Sequence, residues 1–106
     1  MTPDEQYAEF RRAELFFEAG DPAEAARIVG PVVAAAPEST AALELHARSL
    51  FGSAQLSRAE QALRLLVERR PDDGWAHLAL ARALERQGRA PQAVAARRLA
   101  AALGTS

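Results

Sequence analysis

The chain contains no cysteine and no lysine, and it has one tryptophan, one tyrosine and one methionine in 106 residues. Without cysteine there are no disulfides, no thiolate chemistry and no zinc finger, and the absence fits a reducing cytoplasm. No apolar run is long enough to cross a bilayer. The opening MTPDEQYAEF is acidic where a secretory signal would be basic and then apolar. A cytoplasmic protein with no membrane partner is therefore expected. All 13 positive residues are arginine, set against 14 carboxylates for a net charge of −1. The basic surplus needed to neutralise several phosphates is missing, which argues against nucleic acid as a partner.

Alanine, by contrast, makes up about a quarter of the chain. Together with the arginine-only cations this is the composition of a GC-rich genome, and it points to a bacterial source. Apolar residues at 49% and charged ones at 25% are globular proportions, and the length suits one domain, residues 1–106.

Sliding the chain against itself by 34 residues aligns Ala8, Ala42 and Ala76; Ala13, Ala47 and Ala81; Ala25, Ala59 and Ala93; Phe16, Leu50 and Leu84; and Pro37 with Pro71. Gly20 and Gly88 fall in one column with Ala54 between them. A fixed period of this size marks stacked supersecondary units, here three: about 4–37, 38–71 and 72–105. Each reads as two helices. Thr2 caps the first, with Pro3 in its first turn and Glu5 completing a capping box, and Gly20 closes it. Asp21 caps its antiparallel partner, with Glu24 expected to complete a second box, and Pro37 ends it. Ser39 and Asp73 are the corresponding caps further on. Small residues at Ala13 and Ala25 allow the two helices to approach closely, with Phe16 and Val29 filling the space beside them.

These columns resemble the tetratricopeptide repeat signature of large, Leu, small, aromatic, Ala, aromatic and Pro positions. It is carried here by Glu9, Arg12, Ala13, Phe16, Ala25, Val29 and Pro37; by Leu43, His46, Ala47, Leu50, Ala59, Leu63 and Pro71; and by His77, Leu80, Ala81, Leu84, Ala93 and Arg97. The resemblance implies an all-α fold, with antiparallel helix hairpins stacked as a right-handed superhelical α-solenoid of about six helices. It also implies a protein-protein interaction scaffold or adaptor that is not an enzyme and carries no cofactor. Two departures mark the end of the array: Arg97 replaces an apolar residue and Thr105 replaces a proline. Val94, Leu99 and Leu103 remain as an apolar stripe there, and a self-associating module, a homodimer through the groove or through this terminal helix, is the alternative function.

In such arrays the first helices line a concave groove, so the resemblance places Tyr7, Phe10, Glu14, Phe17, Glu44, Arg48, Phe51, Trp75, Leu78, Arg82, Glu85 and Arg86 at a partner-binding face. Trp75, Phe10, Phe17 and Phe51 can serve as core filling or as exposed anchors, and an apolar patch in the groove is the favoured reading. In Phe16-Phe17 and Leu50-Phe51, one residue of each pair is expected to look away from the core. Acidic residues in the first repeat and arginines at 48, 82 and 86 predict a partner segment that is acidic toward the C-terminal half. The family's carboxylate-clamp residues are absent, so that specific role is not carried over. Catalysis and metal binding lack an inventory. His46 and His77 are isolated structural histidines, no Gly-rich phosphate loop occurs, and there is no Gly-x-Ser-x-Gly elbow.

Overall fold

The computed structural model describes residues 1–105, so Ser106, the last residue of the expected domain, lies outside the described residues. Six helices and no strand occur among them: α1 (Pro3–Glu18), α2 (Pro22–Ala35), α3 (Thr40–Gly52), α4 (Leu56–Arg69), α5 (Gly74–Arg86) and α6 (Ala90–Ala102). The all-α class and the helix count agree with the sequence reading.

The helices begin where side chains satisfy orphan amides. Thr2 Oγ1 accepts from the Glu5 amide and the Glu5 carboxylate accepts from the Thr2 amide, both at 3.2 Å, a complete capping box. Ser39 and Asp73 accept from the amides of Ala42 and Ala76. The box expected at Asp21 is only half formed. Glu24 N donates to Asp21 Oδ1 at 3.2 Å, but the Glu24 carboxylate takes the Arg27 guanidinium one turn on. The reason is local: the Asp21 amide already donates to Phe16 O at 2.8 Å, and a charge-assisted pair outcompetes a shared backbone donor. At the starts of α4 and α6, Gln55 and Arg89 make no side-chain cap bond.

The hairpin turns repeat in the same register. Gly20 has φ +85° and is bracketed by Asp21 N donating to Phe16 O and Gly20 N donating to Phe17 O, the paired bonds of a Schellman turn. Gly88 repeats this at φ +77°, with Arg89 N donating to Leu84 O and Gly88 N to Glu85 O. Ala54, in the same column, is also left-handed at φ +59°, although it carries a Cβ.

Two compact units emerge, Met1–Ala54 and one beginning at Gln55. In the first, α2 packs on both α1 and α3, and α1 also touches α3. The three-residue connection between α1 and α2 makes that pair antiparallel. The core holds Ala13, Ile28, Val29, Val32, Ala42 and Leu45, with Phe10, Phe16, Phe17 and Val33 packed against it. Ala13 and Ala25 have no exposed surface, as a close helix crossing requires. The α2–α3 approach is similarly close, since a Cβ on Gly30 would stand 3.7 Å from His46 Nε2. In the second unit α5 packs on α4 and α6 and is buried along most of its length, from Ala76 through Leu84 with only Arg82 exposed. Leu63 and Leu66 of α4 and Leu84 of α5 are essentially sealed, each contributing roughly 1.5–3 kcal/mol of apolar burial.

Candidate functional site

Residues one heptad or less apart on α1 build the first candidate surface. Tyr7 stands 69% exposed, while Phe10, one turn on, is partly buried against the core. Together with Val32 of α2, Ala36 at its C-cap and Ala41 from α3, they line a cleft of about 300 Å³ with Glu38 and Ser39 at its edge. The cleft is apolar at its base and carries a phenol at its rim, a combination that accepts one large apolar side chain. A second cleft, of about 390 Å³, lies between Met1, Glu5, Glu9, Arg12, Arg27 and Ile28. Its charges are already engaged. Glu9 pairs with Arg12 at 2.7 Å, Arg27 with Glu24, and Glu5 closes the Thr2 capping box. The Tyr7 cleft is the better binding candidate for that reason.

Phe17 and Phe16 both pack, partly buried, against the same cluster, so neither of that pair looks away from the core. Besides Tyr7, α1 turns Leu15 outward, 58% exposed, in a column the sequence reading did not single out. The signal was available in the register: the equivalent positions hold Ser49 and Ala83, both fully buried, because each has a preceding helix against it. In the second pair, Leu50 is buried and Phe51 half-buried. Glu14 pairs with Arg11 at 2.5 Å, and Glu44 lies 3.9 Å from Arg48 on the next turn.

In the second unit Trp75 is half-buried at the start of α5, and Leu78 is only 6% exposed, which leaves it little surface to offer a partner. Glu85 turns toward α6: Arg97 Nε donates to Glu85 Oε2 at 2.5 Å and Nη2 to Oε1 at 2.6 Å. The Arg97 hydrogen bonds hold the Glu85 carboxyl below its ordinary value, outweighing the opposing push from burial. Arg82 and Arg86 remain exposed, one turn apart, with no carboxylate within ion-pair distance among the described residues. Around Glu60 a different network forms, with Arg64 at 3.0 Å, Arg89 at 2.6 Å and Gln87 at 3.1 Å. Burial pushes the Glu60 carboxyl up, and these three donors together carry it below its ordinary value.

His77 is buried and its Nε2 donates to Pro71 O at 2.8 Å, which ties α5 to the connection that precedes it. Among the described residues no group of three or more His, Asp or Glu side chains is placed to hold a metal. No described helix is long and apolar enough to cross a membrane.

A family model described as tetratricopeptide repeat matches residues 16–74, more than half of the chain. The chain belongs to the tetratricopeptide repeat family. Comparison with the curated proteins gave no match. Tetratricopeptide repeats generally mediate protein-protein interaction and are typically non-catalytic, and the period read from the alanine, glycine and proline columns is the repeat of that family.

Proposed function

We propose that this tetratricopeptide repeat chain is a single-domain, non-catalytic adaptor that holds an acidic, apolar-anchored segment of a partner protein on the exposed faces of its first helices. The observation that carries the reading is the withdrawal of Glu85 to Arg97. It leaves Arg82 and Arg86 as the exposed charges of α5, a cationic pair spaced for carboxylates one turn apart. On the first unit, the Tyr7 and Phe10 cleft offers a separate seat for one apolar side chain. Glu44 and Arg48 are engaged with each other on α3, and Phe51 and Trp75 are half-buried, so we assign these four to positioning and shape more than to anchoring. The composition supports a cytoplasmic setting in a bacterium.

The test is fluorescence anisotropy with a labelled peptide of glutamate and leucine, titrated with the intact chain and with the Arg82→Glu/Arg86→Glu variant. Loss of roughly tenfold or more in affinity in the variant, with unchanged helix content, is the expected result. Equal binding by both chains would remove the cationic pair from the site.

A further inference from the structure

The carboxylates of residues 1–54 outnumber the arginines by nine to four. Each of those four guanidiniums stands beside a carboxylate of its own helix. Arg11 pairs with Glu14, Arg12 with Glu9 and Arg27 with Glu24, and Arg48 lies 3.9 Å from Glu44. Glu5 and Asp21 are taken up by helix caps. Three exposed carboxylates, Asp4, Glu18 and Glu38, are left without an ion pair among the described residues. Of these only Glu38 lines the Tyr7 cleft, and no basic side chain lines it.

The cleft therefore has two chemically distinct parts. Val32, Ala36 and Ala42 make an apolar base, and the rings of Tyr7 and Phe10, one turn apart on α1, stand beside it. The edge carries the unpaired Glu38. Both helix starts at this end are already satisfied, α1 by the Thr2 and Glu5 capping box and α3 by Ser39 Oγ accepting from Ala42 N. The full charge that a ligand meets here is thus the Glu38 carboxylate. An aliphatic side chain would fill the base and use nothing at the edge, and an acidic one would be repelled.

From this division we propose that the Tyr7 cleft seats an arginine side chain of the partner protein. The methylene stem covers the apolar base, the guanidinium lies against the aromatic rings, and its fork meets Glu38. Arginine suits the cleft better than lysine, because a planar head can stack on a ring and pair with a carboxylate at once. A cleft of about 300 Å³ takes one such side chain. The inference rests on the adaptor reading for the use of this cleft as a seat, and names its occupant. The chain then asks for opposite signs at two places: carboxylates at Arg82 and Arg86, a guanidinium at Glu38.

The test is an amide NMR titration of the intact chain with three blocked pentapeptides, Gly-Ser-X-Ser-Gly, carrying arginine, citrulline or leucine at X. Citrulline keeps the size and planar head of arginine and lacks its charge. The arginine peptide should shift the amides of Tyr7, Phe10 and Glu38 and bind about fivefold more tightly than the citrulline one, and Glu38→Gln should abolish that advantage. Glu18→Gln, which neutralises another exposed carboxylate away from the cleft, should keep it. Equal binding of arginine and citrulline overturns the proposal, as does an advantage that survives Glu38→Gln or is lost equally in Glu18→Gln. The failure of this inference and that of the adaptor reading are distinguishable. Leucine bound at these amides as tightly as arginine removes the guanidinium and leaves the adaptor its apolar seat. An arginine preference that depends on Glu38, beside a glutamate-leucine peptide indifferent to Arg82→Glu/Arg86→Glu, removes the cationic pair and supports the present inference. No shift at these amides with any of the three peptides overturns the cleft as a seat, and this inference with it.

Discussion

Arg97 of α6 and Glu85 of α5 meet fork to fork, with their two hydrogen bonds at 2.5 and 2.6 Å. The period puts Arg97 in the column that holds the fully buried Val29 and Leu63. In this column Arg97 is exposed, and its guanidinium pairs with the Glu85 carboxylate on the adjoining helix. The residue that interrupts the apolar column is also the one that draws Glu85 toward α6, leaving Arg82 and Arg86 as the exposed charges of α5.

The ion pair has a pH signature. The Arg97 hydrogen bonds lower the Glu85 pKa from its ordinary 4.5, so the folded chain binds this proton less readily than the unfolded one. The resulting stabilisation is fully present above the ordinary value and is lost as pH falls through the lowered folded value. In Arg97→Ala the Glu85 midpoint should move up toward 4.5, and NMR titration of the side-chain carboxyl measures it. A midpoint unchanged by the substitution would mean that the fork does not persist in solution.

How far the sequence could be read depends on which interactions have a fixed register. The caps at Thr2, Ser39 and Asp73, the turns at Gly20 and Gly88, and the sealed alanines at 13 and 25 all depend on backbone spacing, which the 34-residue period repeats. The Glu24 carboxylate and Glu85 were placed less well, because a charged side chain chooses among several donors within reach and spacing does not rank them. Leu15 was missed for a third reason. Its column is buried at Ser49 and Ala83, where a helix packs on the preceding one, and is exposed at Leu15.

Ala54 offers a direct gain in stability. It occupies the column of Gly20 and Gly88 at φ +59°, a conformation that costs a residue with a Cβ roughly 1–2 kcal/mol. Part of that gain is offset because glycine widens the unfolded ensemble. Ala54→Gly should stabilise by about 0.5–1 kcal/mol, read as a higher urea midpoint at unchanged m-value. The reciprocal Gly20→Ala should cost about 1 kcal/mol from backbone conformation alone, since nothing lies within 4 Å of the added Cβ.

Ser49 is fully buried on α3, and its Oγ has no hydrogen-bond partner among the described residues. The equivalent position one period on is Ala83, equally buried. Ser49→Ala removes a desolvated hydroxyl and keeps the small volume that the column requires, so stability should rise by about 1 kcal/mol. Thermal unfolding of the two chains decides it, and a lower midpoint in the variant would show that the hydroxyl is satisfied after all.

Tyr7 and Phe10 line one cleft yet should differ in what truncation does to stability. Tyr7 is 69% exposed and makes little of the core, so Tyr7→Ala should change stability by no more than about 0.5 kcal/mol. Phe10 packs partly buried against the cluster around Val29 and Val32, and its loss should cost about 1–3 kcal/mol. Binding of the glutamate-leucine peptide should weaken in both. Chemical denaturation run beside anisotropy separates the two quantities. A Tyr7→Ala chain that keeps full stability and binds several-fold more weakly places the phenol at the partner. A Tyr7→Ala chain that binds as well as the parent would move the apolar seat elsewhere on the first unit, with Leu15 the next residue to truncate.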